Sequence, residues 1–283
     1  MCVQSQISLW QGLSMSLRFG NWRDSRMAIV TSYFDASGGS DQIVVASAAV
    51  IASPEIWEEF DRRWNSCLAA FDVSALHMKE FAHSNGEFEK WKWDEPKRRR
   101  FLNGLLWIIE DLIEFTSVCS VYIDDYRYAD KYFQLSESMR PYTLGSLTCA
   151  SRIVMWAAEH GHDIDDLIWV FEKGDQDQSD LRKHWDLVYP DANVSPIFCK
   201  KRDIYPNKDK CRHIRPFEAA DLIAFEHLQI HRLLDKNQGE VLYVDQLRHP
   251  IQRMRNWPSA KDWHTHDVAS LEKLCTHWNV QPR

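Results

Sequence analysis

The 283-residue sequence lacks the signatures of several common protein classes. Only ten Gly and ten Pro occur, and 45% of the residues are hydrophobic, so the composition predicts a folded chain and not a disordered one. No run approaches the roughly 20 apolar residues of a membrane helix. There is no Gly-rich phosphate loop, Gly-x-Ser-x-Gly elbow or dinucleotide fingerprint. These absences argue against a membrane protein, a P-loop enzyme, an α/β-type serine hydrolase and a nucleotide cofactor.

Cysteine pairs are also missing, since the seven cysteines are scattered singly without a Cys-x-x-Cys word. An odd number of isolated thiols predicts reduced cysteines in a cytoplasmic protein. The formal net charge of -7 provides no global positive field, so a nucleic-acid partner would have to meet a local basic patch. A homodimer is compatible with the sequence.

Apolar runs and helical spacings alternate along the chain. Ser53 followed by Pro54 is typical of a helix start, as are Asp94 and Pro96 near the start of a second helix. Short strands alternating with helices predict an α/β fold, with a central sheet that carries helices on both faces. The predicted strands are 28–35, 42–51, 116–123, 166–171 and 194–199, and the predicted helices are 54–71, about 94–113, 141–160, 179–188 and 216–234.

The same pattern predicts one domain with two appendages. Residues 1–26 are predicted to be a loosely ordered extension, or to derive from an upstream start codon. The domain covers 27–235 and includes a helical insertion, 52–115, between its second and third strands. Residues 236–283 are predicted to be a partly helical tail packed on the domain.

Three acidic residues stand out by their positions. Asp35 and Glu172 each end a predicted strand, and Asp221 lies in the second turn of the last helix, one turn beyond Glu218. Ligands of open α/β sheets bind beyond the carboxyl ends of the strands, so we expect these acids to converge there. Clustered carboxylates repel one another unless a cation binds, and their hard oxygens suit Mg²⁺ or Mn²⁺. One or two such ions could activate water for phosphodiester cleavage.

Four sequence words, SYFDASGG, LHMKEF, FEKGD and PFEAADLIAFE, occur in this order across residues 29–235. In these words the chain resembles the domain-of-unknown-function family 3800, which is grouped with the ribonuclease H-like fold. The resemblance implies a mixed sheet of that type, a nuclease (a hydrolase of phosphodiester bonds), and Asp35, Glu172 and Asp221 as its catalytic, metal-binding acids. The chain departs from the family at Ala36, where Glu is usual, and at Glu218, where Gln is more frequent.

Further residues are candidates for supporting roles. His77, Lys79 and Glu80 of LHMKEF offer a proton carrier, a phosphate contact and another acid, or else form the solvated face of a short helix. Asp175 is equally an outer metal ligand or a turn residue. Glu218 is a candidate metal ligand beside Asp221.

The segment 200–215 is rich in basic residues and directly precedes the last helix. Such a cluster could neutralise phosphates of DNA or RNA, although charge runs are more often solvated loops. The candidate nucleic-acid contacts are Lys200, Lys201, Arg202, Lys208, Lys210, Arg212 and Arg215.

Two alternatives remain at this stage. The chain could be a non-catalytic ribonuclease H-like module that binds nucleic acid or a protein partner. A zinc site could instead use His227 and His231, which are one helical turn apart, but no His-Glu-x-x-His word or suitably spaced Cys supports it.

Overall fold

The computed structural model describes residues 30–39, 41–173, 178–190, 194–199, 214–237, 248–257 and 260–277. The predicted extension, residues 1–26, lies outside these ranges, as do residues 238–247. Six strands occur in the described ranges: β1 Val30–Ser37, β2 Val44–Ala52, β3 Phe115–Tyr122, β4 Leu167–Glu172, β5 Ile197–Cys199 and β6 Ala260–His266.

These strands form a single mixed sheet in the order β5-β4-β1-β2-β3-β6. β2 is antiparallel to both of its neighbours, β1 and β3. β4 is parallel to β1, β5 is parallel to β4, and β6 is parallel to β3. The predicted α/β class with a mixed central sheet is therefore confirmed.

Helices cover both faces of the sheet. They are α1 Pro54–Ala70, α2 Met78–His83, α3 Glu95–Leu112, α4 Ile123–Phe133, α5 Leu135–Ser138, α6 Pro141–Glu159, α7 Gln178–Val188, α8 Arg215–Lys236, α9 His249–Arg255 and α10 Val268–His277, with 3₁₀ turns at Gly86–Trp91 and Ile164–Asp166. The first three, α1 to α3, connect β2 to β3. Among the helices described, none has the length and apolar composition needed to cross a membrane.

Local capping explains where the two long insertion helices begin. The Ser53 hydroxyl accepts a hydrogen bond from the Ile56 amide at 3.4 Å, and Pro54 occupies the first turn of α1, where its missing N–H costs nothing. Asp94 caps α3 in the same way, by accepting from the Lys97 amide at 3.0 Å. Both helix starts predicted from these residues are confirmed.

Among the described residues, one large hydrophobic core lies on each face of the sheet. The front core is formed with α1, α2, α3, α8 and α9, and the back core with α4, α6, α7 and α10. Successive side chains of a strand point to opposite faces, and β1 shows this directly, since Tyr33 belongs to the front core and Phe34 to the back core. In β4, Val170 faces the front and Phe171 the back. The residue that follows Phe34 in β1 and the residue that follows Phe171 in β4 therefore face the front again.

The C-terminal tail extends the sheet. Its strand β6 pairs along β3, from Phe115 opposite Ala260 to Val121 opposite His266. The helices α9 and α10 lie on either side of β6, and the strand itself was not predicted. Its sequence, AKDWHTH, is polar because several of its side chains stay partly exposed at the edge of the sheet.

Candidate functional site

Asp35 and Glu172 lie at neighbouring strand ends. β1 and β4 pair in parallel, and their last paired residues are Phe34 and Phe171, so the two acids follow directly on adjacent strands: Asp35 two residues before the end of β1, and Glu172 as the last residue of β4. Both belong to the alternating set that faces the front core. Asp35 is buried, with 3% of its surface exposed, and its Oδ1 accepts from the Ala36 amide at 2.8 Å. The strands that carry the two acids are therefore neighbours in the sheet.

Asp221 approaches from the helix that covers this face. α8 packs across β1 and β2, and the Asp221 carboxylate is largely buried. Its Oδ2 accepts a hydrogen bond from the Met78 amide at 3.1 Å and lies 3.6 Å from His77 Nδ1. These two contacts of Asp221 connect the start of α2 to α8. The structure thus brings His77, about half exposed, to one of the three predicted acids.

The other two candidates on α2 are placed differently. Lys79 and Glu80 are both exposed. The Glu80 carboxylate turns toward Gly86, where an added Cβ would come within 2.7 Å of Oε2. Gly86 also has a φ of +58°, a left-handed conformation that favours glycine. Glu80 therefore lies over the start of the 3₁₀ turn at Gly86–Trp91, while His77 contacts Asp221.

Glu218 is held by protein donors on all sides, contrary to the expectation for a metal ligand. Its Oε2 accepts from the Trp64 indole at 2.7 Å and from the Leu76 amide at 2.9 Å. Its Oε1 pairs with the Arg215 guanidinium at 2.5 Å. Burial raises the pKa of Glu218 above its ordinary value even though Arg215 opposes the shift. We assign Glu218 a structural role in joining α8 to α1 and to the segment before α2.

Arg215 was predicted to contact nucleic acid, and its surroundings correct that prediction. The residue is buried, with 8% exposure, and its guanidinium is bound to Glu218 and to the Asn65 side chain, the latter at 2.9 Å. An arginine committed in this way is not available to a phosphate. The remaining basic candidates, Lys200 to Arg212, and the candidate ligand Asp175 lie outside the described residues.

The metal prediction has a clear limit in the structure. In the described ranges, no group of three or more His, Cys, Asp or Glu side chains is arranged to hold a metal ion. Asp35 and Glu172 therefore lie on adjacent strands and Asp221 on the covering helix, but the three carboxylates are not close enough together to form a metal-binding group. A scan of the sequence against protein-family models finds no match, and a search of curated proteins finds none either.

The histidines of the rival zinc hypothesis are engaged in packing. His227 packs edge-on against Trp263, with ring centroids 4.5 Å apart, and His231 shares a 2.9 Å hydrogen bond with the Tyr122 hydroxyl. Burial is the main cause that lowers the pKa of His227 to about 3, with a smaller contribution from neighbouring His231. Burial also lowers the pKa of His231 to about 4. Both side chains are therefore neutral parts of the α8 interface with the sheet.

These buried histidines predict a loss of stability in mild acid. The folded-state pKa of His227, about 3, lies below the ordinary value of 6.5, so below pH 6.5 the unfolded chain takes up a proton that the folded chain excludes. Between pH 7 and pH 5, this linkage should lower the free energy of unfolding by about 2 kcal/mol for His227 alone. Urea unfolding at the two pH values measures the loss.

The variant His227→Leu should shrink this loss by about 2 kcal/mol. His83→Leu, which replaces an exposed histidine, should leave the loss unchanged. An identical pH dependence in wild type and His227→Leu would show that His227 is not buried in its neutral form.

Some residues around the acids carried no signal in the sequence. Trp64 is buried in the core, and nothing in the sequence indicates that its indole donates to Glu218. The backbone amides of Leu76 and Met78 contribute no side-chain signal at all. Helix caps of this kind, made by acids far away in the chain, are formed only in the tertiary structure.

Proposed function

We propose that the chain is a divalent-metal-dependent phosphodiesterase of the ribonuclease H-like class, a nuclease or related nucleic-acid-processing enzyme. The observation that carries the proposal is the placement of Asp35 and Glu172 at adjacent strand ends, on the face covered by the helix that bears Asp221. In an open α/β sheet this is the edge at which ligands bind.

The order of the strands supports the same class. Without β6, the sheet reads β3-β2-β1-β4-β5, with β2 antiparallel and a long helix after β5. The resemblance noted in the sequence implies acids on the first strand, at the end of the fourth and on the final helix. Asp35, Glu172 and Asp221 stand at those positions. Fold alone does not define an activity, so the acids carry the functional argument.

The donor chemistry fits Mg²⁺ or Mn²⁺, because the three acids offer only hard carboxylate oxygens. When bound, such an ion lowers the pKa of water and neutralises charge on a phosphoryl oxygen. The described residues do not form a complete ligand group.

The surrounding residues have separate tasks in this proposal. His77, half exposed beside Asp221, is positioned to exchange a proton between the site and solvent. Asp221 keeps its orientation because the Met78 amide donates to Oδ2. Glu218 and Arg215 hold the first turn of α8 in place and do not touch substrate. Contacts to the phosphate backbone are assigned to the basic residues Lys200, Lys201, Arg202, Lys208, Lys210 and Arg212.

Cleavage of labelled single- and double-stranded DNA and RNA oligonucleotides tests the proposal. The wild-type protein should cut at least one of them with Mg²⁺ or Mn²⁺ and none with EDTA, and its binding should weaken as salt rises. Cutting that persists in EDTA would contradict metal dependence. Salt-sensitive binding without cutting under any divalent ion would favour the non-catalytic module instead.

A further inference from the structure

A cavity of about 290 Å³ lies between α2, α3 and the start of α9. Its volume is at the lower end of the range of small-molecule sites, roughly 300 to 1,000 Å³. Phe81, Leu102 and Pro250 provide apolar wall, and the remaining lining is mainly charged. The cavity does not include Asp35, Glu172 or Asp221.

Three arginines line this cavity against one acidic residue. Arg98 and Arg99 come from the first turns of α3, together with Glu95, and Arg248 immediately precedes α9. Arg99 is exposed, and the described part of the chain offers its guanidinium no hydrogen-bond or ion-pair partner. Glu95 lies 3.7 Å from Arg98 and Glu226 pairs with Arg248, so the excess positive charge of the lining comes from Arg99, in a protein whose overall charge is negative.

Two of the guanidinium groups are fixed in position before any ligand arrives. Arg98 donates to the Phe81 carbonyl at 2.7 Å and to the Ser84 hydroxyl at 2.8 Å. Arg248 pairs through Nε and Nη2 with the buried carboxylate of Glu226, at 2.9 Å for each bond. The side chain of Arg248 is nevertheless 40% exposed, so its outer edge remains open to the cavity. Preorganised donors lose little entropy when a ligand binds.

A neighbouring histidine is affected mainly by its burial and to a smaller extent by nearby arginines. Burial, followed by the charges of Arg99 and Arg253, lowers the pKa of His249, which also lines the cavity. An anion would relieve this repulsion between cationic groups. Guanidinium groups match phosphate oxygens in two-pronged hydrogen bonds and are the preferred partners of phosphate.

From these contacts we propose that the cavity binds the phosphate group of a small phosphorylated molecule. Arg99 and the exposed edge of Arg248 receive the phosphate. Arg98, whose nitrogens already donate to Ser84 and Phe81, holds the wall in position. The wall formed by Phe81, Leu102 and Pro250 accommodates the organic part. The cavity meets α2 at Phe81 and Ala82, whereas Asp221 contacts the other end of the helix at Met78. The proposed site is therefore distinct from the acids and does not depend on the proposed nuclease activity.

Calorimetric titration of the full chain tests this proposal with three probes: inorganic phosphate, adenosine monophosphate and adenosine. We expect saturable binding of both phosphate-bearing probes and none of adenosine. Arg99→Gln should weaken the binding of adenosine monophosphate about tenfold, which corresponds to the loss of one charge-assisted hydrogen bond. Arg99 is exposed, so this variant should fold normally.

Arg100→Gln is the matched control, because Arg100 is the next residue of α3, is also exposed and does not line the cavity. It should change the affinity less than about twofold. An equal loss in both variants would point to a diffuse basic surface and overturn the proposal. Absence of phosphate binding up to about 10 mM, or equal affinity for adenosine and its monophosphate, would overturn it as well. A fourth probe is an oligonucleotide without terminal phosphates, which carries only internal phosphodiesters. Binding of this oligonucleotide, but of neither phosphate nor adenosine monophosphate, would assign the arginines to nucleic acid and overturn the proposal.

Discussion

Asp35→Asn is expected to reduce divalent-dependent cleavage by more than about 100-fold. Losing a partner that only supports a metal ligand costs about 10- to 100-fold, and losing a metal-binding acid should cost more. The substitution keeps the shape of the side chain but removes the charge that a cation needs at the end of β1. Asp221→Asn should have the same effect, because Asp221 is the acid contributed by α8. Both variants are measured by initial cleavage rates at several Mn²⁺ concentrations.

Asp186→Asn is the matched control. Asp186 is exposed on α7, at the back face of the sheet, so its rate and metal dependence should equal those of the wild type. Thermal melting of all three variants separates loss of activity from loss of fold. Normal cleavage by well-folded Asp35→Asn and Asp221→Asn proteins would refute the acid site. Unchanged oligonucleotide binding in both, with no cleavage in the wild type, would identify the chain as a binding module.

Glu218→Ala is expected to lower the free energy of unfolding by about 3–5 kcal/mol, the usual penalty for breaking a buried ion pair from one side. The attraction between the two charges is not the main reason, since burial raises the pKa of Glu218 despite Arg215. The penalty arises because Arg215, the Trp64 indole and the Leu76 amide all lose their acceptor inside the protein. Urea unfolding monitored by circular dichroism measures it.

A second Arg–Glu pair with the same spacing provides the comparison. Glu59 and Arg62 also lie three residues apart on a helix, but both side chains are solvent-accessible. Glu59→Ala should leave the unfolding midpoint unchanged, because exposed pairs contribute little. A similar decrease in the free energy of unfolding for Glu59→Ala and Glu218→Ala would show that the contribution of Glu218 does not depend on its burial.

Much of the front face could be predicted from local sequence. The Ser53–Pro54 and Asp94 signals define helix starts because capping is decided within a few residues. The apolar runs of β1 and β4 are unmistakable since both strands are buried inside the sheet. Strand β6 was missed for the opposite reason, because an edge strand with partly exposed side chains has no apolar run to recognise.

The candidate site was predictable only in its outline. The order of strand ends and final helix was enough to place Asp35, Glu172 and Asp221 on one face. The role of Arg215 was not predictable, because it ends the basic segment 200–215 and its partner Asn65 lies 150 residues away. A run of basic residues describes only composition, whereas the contacts of one arginine depend on which helix packs against it.

The attachment of α2 to α8 also bears on the order in which the chain folds. α2 has only six residues, too few to be stable as an isolated helix in water. The amides of Leu76 and Met78, just before and at its start, are satisfied by carboxylates 142 and 143 residues further along the chain. Such distant contacts form only after the entropy of closing a long loop has been overcome. We therefore expect the LHMKEF segment to order late in folding, once α8 has docked on the sheet.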